Sequence, residues 1–163
     1  MIDKWDSALK FLPPDRLKEM APRLARPLVF TNGVFDILHA GHVAYLEAAS
    51  AQGSCLIVAL NSDASARGLG KPGDRPFNTL KDRVRVVGAL GCVSWVTGFD
   101  EPTPEALLAA LRPDVYVKGG DYRVEDLPET PLVRGWGGRV SIGPFLEGRS
   151  STQLIEHLRA GAP

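Results

Sequence analysis

Cysteine is scarce in this sequence, and long apolar runs are absent from it. The 163 residues include two cysteines, Cys55 and Cys92, each within an apolar segment. This excludes a disulfide framework and is typical of reduced core thiols in a cytoplasmic protein. No apolar run approaches the ~20 residues that a membrane-spanning helix needs. The first residues carry Asp3, Lys4 and Asp6 without an apolar core, so we expect no signal peptide.

An excess of either charge is also lacking. Lys and Arg together number 19, Asp and Glu number 19, and the formal net charge is 0. Bulk electrostatics therefore gives no reason to expect a nucleic acid or an anionic membrane as a partner, and any phosphate binding must depend on a local site. The length, with 44% hydrophobic and 23% charged residues, is that of one globular domain with a substantial core.

Residues 28–46 combine features of an anion-binding site. The pattern predicts a buried strand over Leu28–Thr31, a glycine turn at Gly33 and a helix that begins at His39-Ala-Gly-His42. Unpaired N–H groups and the positive end of the helix dipole converge at such a junction. Two histidines on the first turn would both point at a bound anion. Solvent-exposed or core histidines are the alternative, but two of the chain's three histidines in one such junction favour a site.

Apolar strand segments alternate with helical segments along the rest of the chain. Helices are predicted after His42 to near Gly53, from Asn78 or Thr79, and over Thr103–Leu111. The predicted strands are residues 28–31, 55–60, 94–97, 114–118 and 139–142. This alternation predicts an α/β fold: a Rossmann-like, doubly wound parallel five-stranded sheet in the order 3-2-1-4-5, with helices on both faces. Its switch point, between the first and fourth strands, is where a ligand is expected.

The N-terminal 26 residues are predicted to be a short helical extension to a main domain of residues 27–163. Pro14 or Asp15 opens its second helix, and Leu17, Met20 and Leu24 give that helix an apolar stripe. We expect the extension to pack on the main sheet or on a second subunit.

Polar and basic segments follow several of the predicted strands. Asn61-Ser-Asp63 ends the second strand, and residues 64–78 form a glycine- and proline-rich segment with Arg67, Lys71 and Arg75. A segment this long without structure of its own is either a surface loop or a mobile basic flap over phosphates, and we favour the flap. Arg83 lies early enough in the next helix to reach the strand ends.

Near the C-terminus, residues 123–138 are predicted to be irregular, with one helical turn near Leu132–Trp136. Ser150 or Ser151 is expected to cap a final helix over Thr152–Arg159, whose N-terminus is a second anion-binding end.

Four motifs carry a resemblance to a known family. His39-Ala-Gly-His42 after Thr31-Asn-Gly33 resembles the HxGH signature of the nucleotidyltransferase superfamily, which includes the cytidylyltransferases and class I tRNA synthetases. Val117-Lys-Gly-Gly-Asp-Tyr122 and Asn61-Ser-Asp63 are similar to runs in the heptose 1-phosphate adenylyltransferases of ADP-heptose synthesis. Gly148-Arg-Ser-Ser-Thr152 resembles the second superfamily signature, whose hydroxyls bind nucleotide phosphates. Related cytidylyltransferases begin that signature with an arginine where this chain has Phe145, and whether Arg149 replaces it is open.

The resemblance covers the chain from about Arg26 to the end and implies three groups of site residues. Catalytic residues are expected at His39, His42 and Lys71. Nucleotide-binding residues are expected at Thr31, Asn32, Gly33, Phe35, His39, Gly41, His42, Arg83, Lys118, Gly119, Ser150, Ser151 and Thr152. Sugar-phosphate-binding residues are expected at Asp36, Asn61, Asp63, Arg75 and Asp121.

The resemblance also implies the reaction. AMP would pass from ATP to D-glycero-D-manno-heptose 1-phosphate, giving ADP-heptose and pyrophosphate for lipopolysaccharide core synthesis. Mg²⁺ would be held mainly by ATP phosphates, without protein metal ligands. The expected partners are these small molecules and further copies of the chain in a homo-oligomer.

The acceptor phosphate is largely dianionic at neutral pH and needs no general base. The absence of a Ser-His-Asp or Cys-His pattern therefore agrees with this chemistry. A cytidylyltransferase, or an adenylyltransferase with another phosphorylated acceptor, is the alternative. A non-catalytic nucleotide-binding regulator would need the strand-end glycines but not two histidines and a basic flap.

Overall fold

The computed structural model describes residues 6–70, 75–120, 122–144, 151, 155 and 161. Its centre is a five-stranded, all-parallel sheet in the order β3-β2-β1-β4-β5. The strands are β1 (Leu28–Gly33), β2 (Cys55–Asn61), β3 (Trp95–Phe99), β4 (Val115–Lys118) and β5 (Arg139–Ile142). The predicted fold class, strand order and number of strands are confirmed.

Six α-helices connect or flank these strands in the described part of the chain. They are α1 (Pro14–Met20), α2 (Ala40–Ser50), α3 (Asp63–Gly68), α4 (Leu80–Gly88), α5 (Glu105–Leu111) and α6 (Thr130–Gly135). Short 3-10 segments occur at Ser7–Lys10, Ala21–Arg23 and Val124–Asp126. None of the described helices is long and apolar enough to cross a membrane.

The sheet is covered on both faces, as alternation along β1 illustrates. Val29 packs with Leu46 of α2 and Val87 of α4 in one buried cluster, whereas Leu28 and Phe30 belong to a second cluster on the opposite face. The second cluster includes apolar side chains of α1, α5 and α6. Because both faces are buried, every residue of β2 is buried, which explains its continuous apolar sequence.

The N-terminal segment packs on the main sheet, which is one of the two predicted alternatives. The Leu12 N–H donates to the Val96 carbonyl over 2.9 Å, so the segment lies along strand β3. Leu17 is fully buried, and Leu24 is 8% exposed, within the second cluster. Lys10 Nζ donates to the carbonyls of Leu90 and Val93 beyond the end of α4.

Helix α3 corrects the prediction that residues 64–78 lack structure of their own. Ser62 caps this helix, and its hydroxyl accepts from the Ser65 N–H over 3.2 Å. Asp63 in the first turn also favours a helix, because a negative charge near a helix N-terminus is stabilising. Gly68 ends this helix, and the other glycines and the prolines of the predicted flap follow it in the sequence.

Smaller differences concern element boundaries. Strand β3 extends to Phe99, and α5 begins at Glu105 with Pro104 as its N-cap. Thr79 caps α4 with Asp82 in its first turn, as predicted. Most of the predicted final helix, over residues 152–159, lies outside the described residues. The described residues Ser151 and Ile155 in this region are both helical.

Candidate functional site

A cleft of about 660 Å³ lies at the carboxyl ends of β1 and β4, which is the predicted switch point. The junction between β1 and α2 forms its floor and includes Asn32, Gly33, Phe35, His39, Gly41 and His42. The end of β4 and the residues after it form one wall, including Lys118, Gly119 and Glu129. Asn61, Ala66, Leu69 and Arg75 line the other side. The structure therefore brings most of the described site residues together.

The two signature histidines are held as a pair at the start of α2. His39 is the N-cap, with φ −143° and ψ 171°, and its Nδ1 accepts from the Gly41 N–H over 3.1 Å. The Nδ1 of His42 accepts from the His39 N–H over 3.4 Å. Their ring centroids are 3.9 Å apart. Because Nδ1 is an acceptor in both rings, the neutral rings carry their protons on Nε2.

Tyr45 connects α2 with strands β1 and β4 at the cleft. Its hydroxyl donates to the Val117 carbonyl over 2.9 Å and accepts from Thr31 Oγ1 over 2.6 Å. Burial raises the pKa of Tyr45 well above its usual value, so the phenol stays protonated. A Cβ at Gly143 would clash with the Tyr45 ring, which explains a glycine there.

Thr31 differs from its predicted role. It is fully buried and does not line the cleft, and its hydroxyl is hydrogen-bonded to the Tyr45 hydroxyl. We therefore correct its assignment from a nucleotide contact to a support of the floor.

A polar chain connects β1 with the wall of the cleft. Tyr116 donates to Asn32 Oδ1 over 2.8 Å, and Lys118 Nζ donates to the Tyr116 hydroxyl over 3.1 Å. Lys118 Nζ also lies 3.5 Å from Glu129 Oε1. Burial and the negative charge of Glu129 raise the pKa of Tyr116 above its usual range. The Lys118 ammonium is thus at the cleft, as predicted, with two protein partners.

Asp36 lines the cleft, but its carboxylate holds the end of the predicted flap. Its two oxygens accept from the backbone N–H groups of Phe77 and Asn78, each over 2.9 Å. Asn78 Nδ2 donates in return to the Asp36 carbonyl over 2.8 Å. In the described structure Asp36 therefore anchors the segment that carries Arg75 into the cleft lining, and the sugar-phosphate contact at Asp36 stays a prediction.

Arg83 is buried and pairs with the partly exposed Asp63, and neither residue lines the cleft. The Arg83 side chain is 0% exposed, and its Nη2 lies 2.7 Å from Asp63 Oδ1. Its Nη1 donates to the carbonyls of Val34 and Asn61, each over 2.8 Å. Asp63 Oδ1 also accepts from the Leu80 N–H over 2.8 Å. Arg83 reaches the strand ends as predicted, but it binds backbone there, and we correct both residues from ligand contacts to structural ones.

Asn61 lines the cleft, and its Nδ2 donates to Ser65 Oγ over 3.0 Å. Ser151 also lines it and donates to the Ile37 carbonyl over 3.2 Å. Five further predicted positions, and the Phe145 departure, lie outside the described residues. They are Lys71, Asp121, Arg149, Ser150 and Thr152.

A family model described as Cytidylyltransferase-like matches residues 30–155. The chain belongs to the cytidylyltransferase-like family. It is 57% identical over 141 residues to the D-beta-D-heptose 1-phosphate adenylyltransferase of Bordetella bronchiseptica, and the match covers 86% of this chain and 87% of that protein. It is also 57% identical over 135 residues to Bifunctional protein HldE of Streptomyces coelicolor, of which it spans 29%.

Two solved structures are similar to the chain in fold. The lipopolysaccharide core biosynthesis protein of Thermoplasma volcanium superposes with a TM-score of 0.63 at 26% identity, over 74% of this chain and 98% of that chain. Pantothenate synthetase of Thermus thermophilus superposes with a TM-score of 0.54 at 15% identity, over 82% of this chain and 60% of that one. The second similarity shows the fold alone.

Two features of this cytidylyltransferase-like site were missed in the sequence. Tyr45 lies three residues after His42 on the same helix, and this spacing could have indicated its position below the histidines. Glu129 lies in a segment without periodicity, and no local signal distinguishes its carboxylate from the others. Among the described residues, no group of three or more His, Cys, Asp or Glu side chains could hold a metal ion.

Proposed function

We propose that the protein is an adenylyltransferase that transfers AMP from ATP to D-beta-D-heptose 1-phosphate. The products are ADP-heptose and pyrophosphate, and the biosynthetic role is lipopolysaccharide core synthesis. The observation that carries the proposal is the histidine pair at the N-terminus of α2 within a cleft at the switch point. The relative named for this activity, 57% identical over 86% of the chain, supports the choice of substrates.

The reaction exchanges one phosphoanhydride bond for another. A phosphate oxygen of the sugar phosphate attacks the α-phosphorus of ATP and forms the new P–O bond. The bond from the α-phosphorus to the bridging oxygen breaks, and pyrophosphate leaves with its electron pair. The attacking phosphate is largely dianionic (second pKa about 6), so no side chain needs to take a proton from it.

In this proposal, His39 and His42 stabilise charge on the α-phosphoryl oxygens. The Nδ1 acceptors fix both rings so that the Nε2–H groups are the donors. The dipole of α2, which has eleven residues, adds positive potential at the same point. Preorganised donors of this kind are each worth on the order of 10² or more in turnover.

The remaining contacts are assigned by position in the cleft. Asn32, Gly33, Phe35, Gly41, Lys118, Gly119 and Ser151 are proposed for ATP, and Asn61 and Arg75 for the sugar phosphate. Lys71, Asp121, Ser150 and Thr152 stay predictions from the family motifs.

Mg²⁺ belongs to this proposal as part of the substrate MgATP. The described residues supply no set of carboxylates or imidazoles that fits a protein-bound ion, whereas ATP phosphates and water satisfy Mg²⁺ with few protein ligands. Pyrophosphate release should therefore stop with excess EDTA and return with added Mg²⁺.

We also propose a cytoplasmic homo-oligomer, and the two free cysteines agree with a reducing compartment.

A pyrophosphate-release assay tests the function. ATP and CTP are each combined with D-beta-D-heptose 1-phosphate, its alpha anomer and glycerol 3-phosphate. We expect turnover with ATP and the beta sugar phosphate, and rejection by up to about 10⁴ of an acceptor that lacks the paired hydroxyls. Equal or faster reaction of CTP with glycerol 3-phosphate would contradict the proposal and favour a cytidylyltransferase.

A further inference from the structure

Glu129 is a buried carboxylate in the wall of the cleft, and one of its oxygens is unpartnered. The residue is 3% exposed and lines the cleft. Its Oε1 lies 3.5 Å from Lys118 Nζ, whereas its Oε2 is buried without a hydrogen-bond partner in the described structure. An unpaired buried acceptor destabilises the folded protein, and more so when it is charged. Such an atom is therefore expected to have a partner in the functional state.

A purely structural role does not account for this carboxylate. Glu129 is the N-cap of α6, but its side chain makes no capping hydrogen bond. Its one cation among the described residues, Lys118, is shared with the Tyr116 hydroxyl. The carboxylate therefore neither caps its own helix nor satisfies both of its oxygens within the wall.

The chemistry of the pair restricts what can bind there. An ionised carboxylate only accepts hydrogen bonds, so a phosphate oxygen is excluded as the partner of Oε2. The Lys118 ammonium beside Oε1 is a donor, so the pair offers an acceptor and a donor side by side. A hydroxyl group can both donate and accept and matches this arrangement, whereas an amino group of a base offers donors alone.

We propose that Glu129 Oε2 accepts a hydrogen bond from a hydroxyl group on a sugar ring of the bound substrates. This inference rests on the proposed function, because both substrates carry such a ring. The hydroxyl belongs either to the ribose of ATP or to the heptose, and Glu129 acts as a specificity residue for that ring. The Lys118 contact holds the carboxylate in place for it.

The test combines deoxy analogues with substitution of Glu129. Dissociation constants are measured by calorimetry for ATP, 2′-deoxy-ATP, 3′-deoxy-ATP, inosine triphosphate, heptose 1-phosphate and its monodeoxy analogues. A hydrogen bond to a charged group contributes about 1.5–3 kcal/mol, so one deoxy analogue should bind the unsubstituted protein about 10- to 150-fold more weakly. In Glu129→Met, which has a similar length but no acceptor oxygen, that same analogue should bind nearly as well as its parent.

Glu125→Met is the matched control, because the Glu125 carboxylate on the same segment is 63% exposed. This variant should bind the deoxy analogue more weakly than its parent by the same factor as the unsubstituted protein does. If Glu129→Met does not fold, Glu129→Gln is measured in its place and should show a reduced penalty. The affected ring identifies the source: a deoxy-ATP marks the ribose, and a deoxy sugar phosphate marks the heptose.

Three results would overturn the inference. The first is equal binding of every deoxy analogue and its parent. The second is a loss of affinity for the deoxy analogue that is unchanged in the Glu129 variants. The third is a loss of affinity that the variants remove only for inosine triphosphate, which would assign Glu129 to the amino group of the base. The pyrophosphate assay is read separately. If binding depends on a hydroxyl group but no turnover occurs, the proposed adenylyltransferase activity is refuted and the role of Glu129 stands. If turnover occurs without this dependence, only the role of Glu129 is refuted. If neither substrate binds, both proposals are refuted.

Discussion

At the scale of single residues, His39 contributes to α2 through its backbone position and to the cleft through its ring. It occupies the N-cap, where Ser, Thr, Asp and Asn are the preferred residues. His39 caps the helix by accepting the Gly41 N–H with Nδ1, and because Nδ1 is the acceptor, the proton of the neutral ring is on Nε2. The cap and the proposed catalytic donor are thus the two nitrogens of one ring, and substitutions can separate their effects.

His39→Asn should keep the cap and remove the donor. Asparagine is among the best N-caps, so the free energy of unfolding should change by only a few tenths of a kcal/mol, while turnover falls on the order of 10². His39→Ala should show the same loss of turnover and lose about 1 kcal/mol of stability as well. Urea denaturation and pyrophosphate release measure both effects. Near-normal turnover of His39→Asn would refute the catalytic assignment.

Arg83 is the residue whose role changed most. We expect Arg83→Met to lower the free energy of unfolding by about 3 kcal/mol, because it leaves buried carbonyls and the partly exposed Asp63 carboxylate without their donor. Arg85→Met is the control, since its side chain is 64% exposed and pairs only with Asp6 among the described residues. The control should change stability by no more than about 0.5 kcal/mol. A stable Arg83→Met protein with weakened ATP binding would restore the predicted nucleotide contact.

At the scale of elements, Asp36 connects the junction before α2 with the segment before α4. Its carboxylate accepts from two consecutive backbone N–H groups, so it fixes the direction in which the chain enters Asn78 and Thr79. The basic segment is therefore anchored at its C-terminal end to the cleft itself.

Asp36→Ala should release this anchor. Amide hydrogen exchange of a peptide spanning residues 75–80 should become faster, and kcat/KM should fall, while the melting temperature stays nearly unchanged because Phe77 and Asn78 are exposed. Asp15→Ala, at a carboxylate that is 92% exposed, is the control and should alter neither quantity. Unchanged exchange in Asp36→Ala would show that other contacts hold the segment.

The sequence predicted those elements whose signals are local. Continuous apolar runs such as Cys55–Leu60 identify doubly covered strands, and the HxGH spacing identifies a helix start, because neighbouring residues decide both. Helix α3 was missed because the later glycines and prolines concealed a short helix that depends on the Ser62 cap. The structural contacts of Asp36 and Arg83 were missed for another reason. Their hydrogen-bond partners lie tens of residues away in the chain. The sequence therefore shows that the two side chains are polar, but it does not show that the fold supplies their hydrogen bonds.

At the scale of the whole molecule, the N-terminal segment shares its core with the sheet. Leu17 and Leu24 pack in the cluster that contains Phe30 and Leu108. The described part of the N-terminal extension therefore packs continuously with the main domain. We expect one cooperative unfolding transition that includes this segment.

Leu17→Ala tests this shared core. It should lower the free energy of unfolding of the entire chain by about 2–5 kcal/mol, because it empties a fully buried position. Leu9→Ala, in the same segment at a side chain that is 72% exposed, should change it by no more than about 0.5 kcal/mol. If Leu17→Ala leaves the main transition unaffected, residues 1–26 are an independent extension after all.

Burial of two phenols governs how the protein responds to alkali. Burial raises the pKa of Tyr45 and Tyr116 above the value of about 10 in an unfolded chain, and the charge of Glu129 raises the second further. The stability they contribute is complete below about pH 10 and declines as the pH rises towards their native pKa values. Base should therefore unfold the protein before it ionises them, and two of the three tyrosines should become tyrosinate only as circular dichroism is lost. Ionisation of all three in an ultraviolet titration, with the dichroism intact, would contradict this coupling.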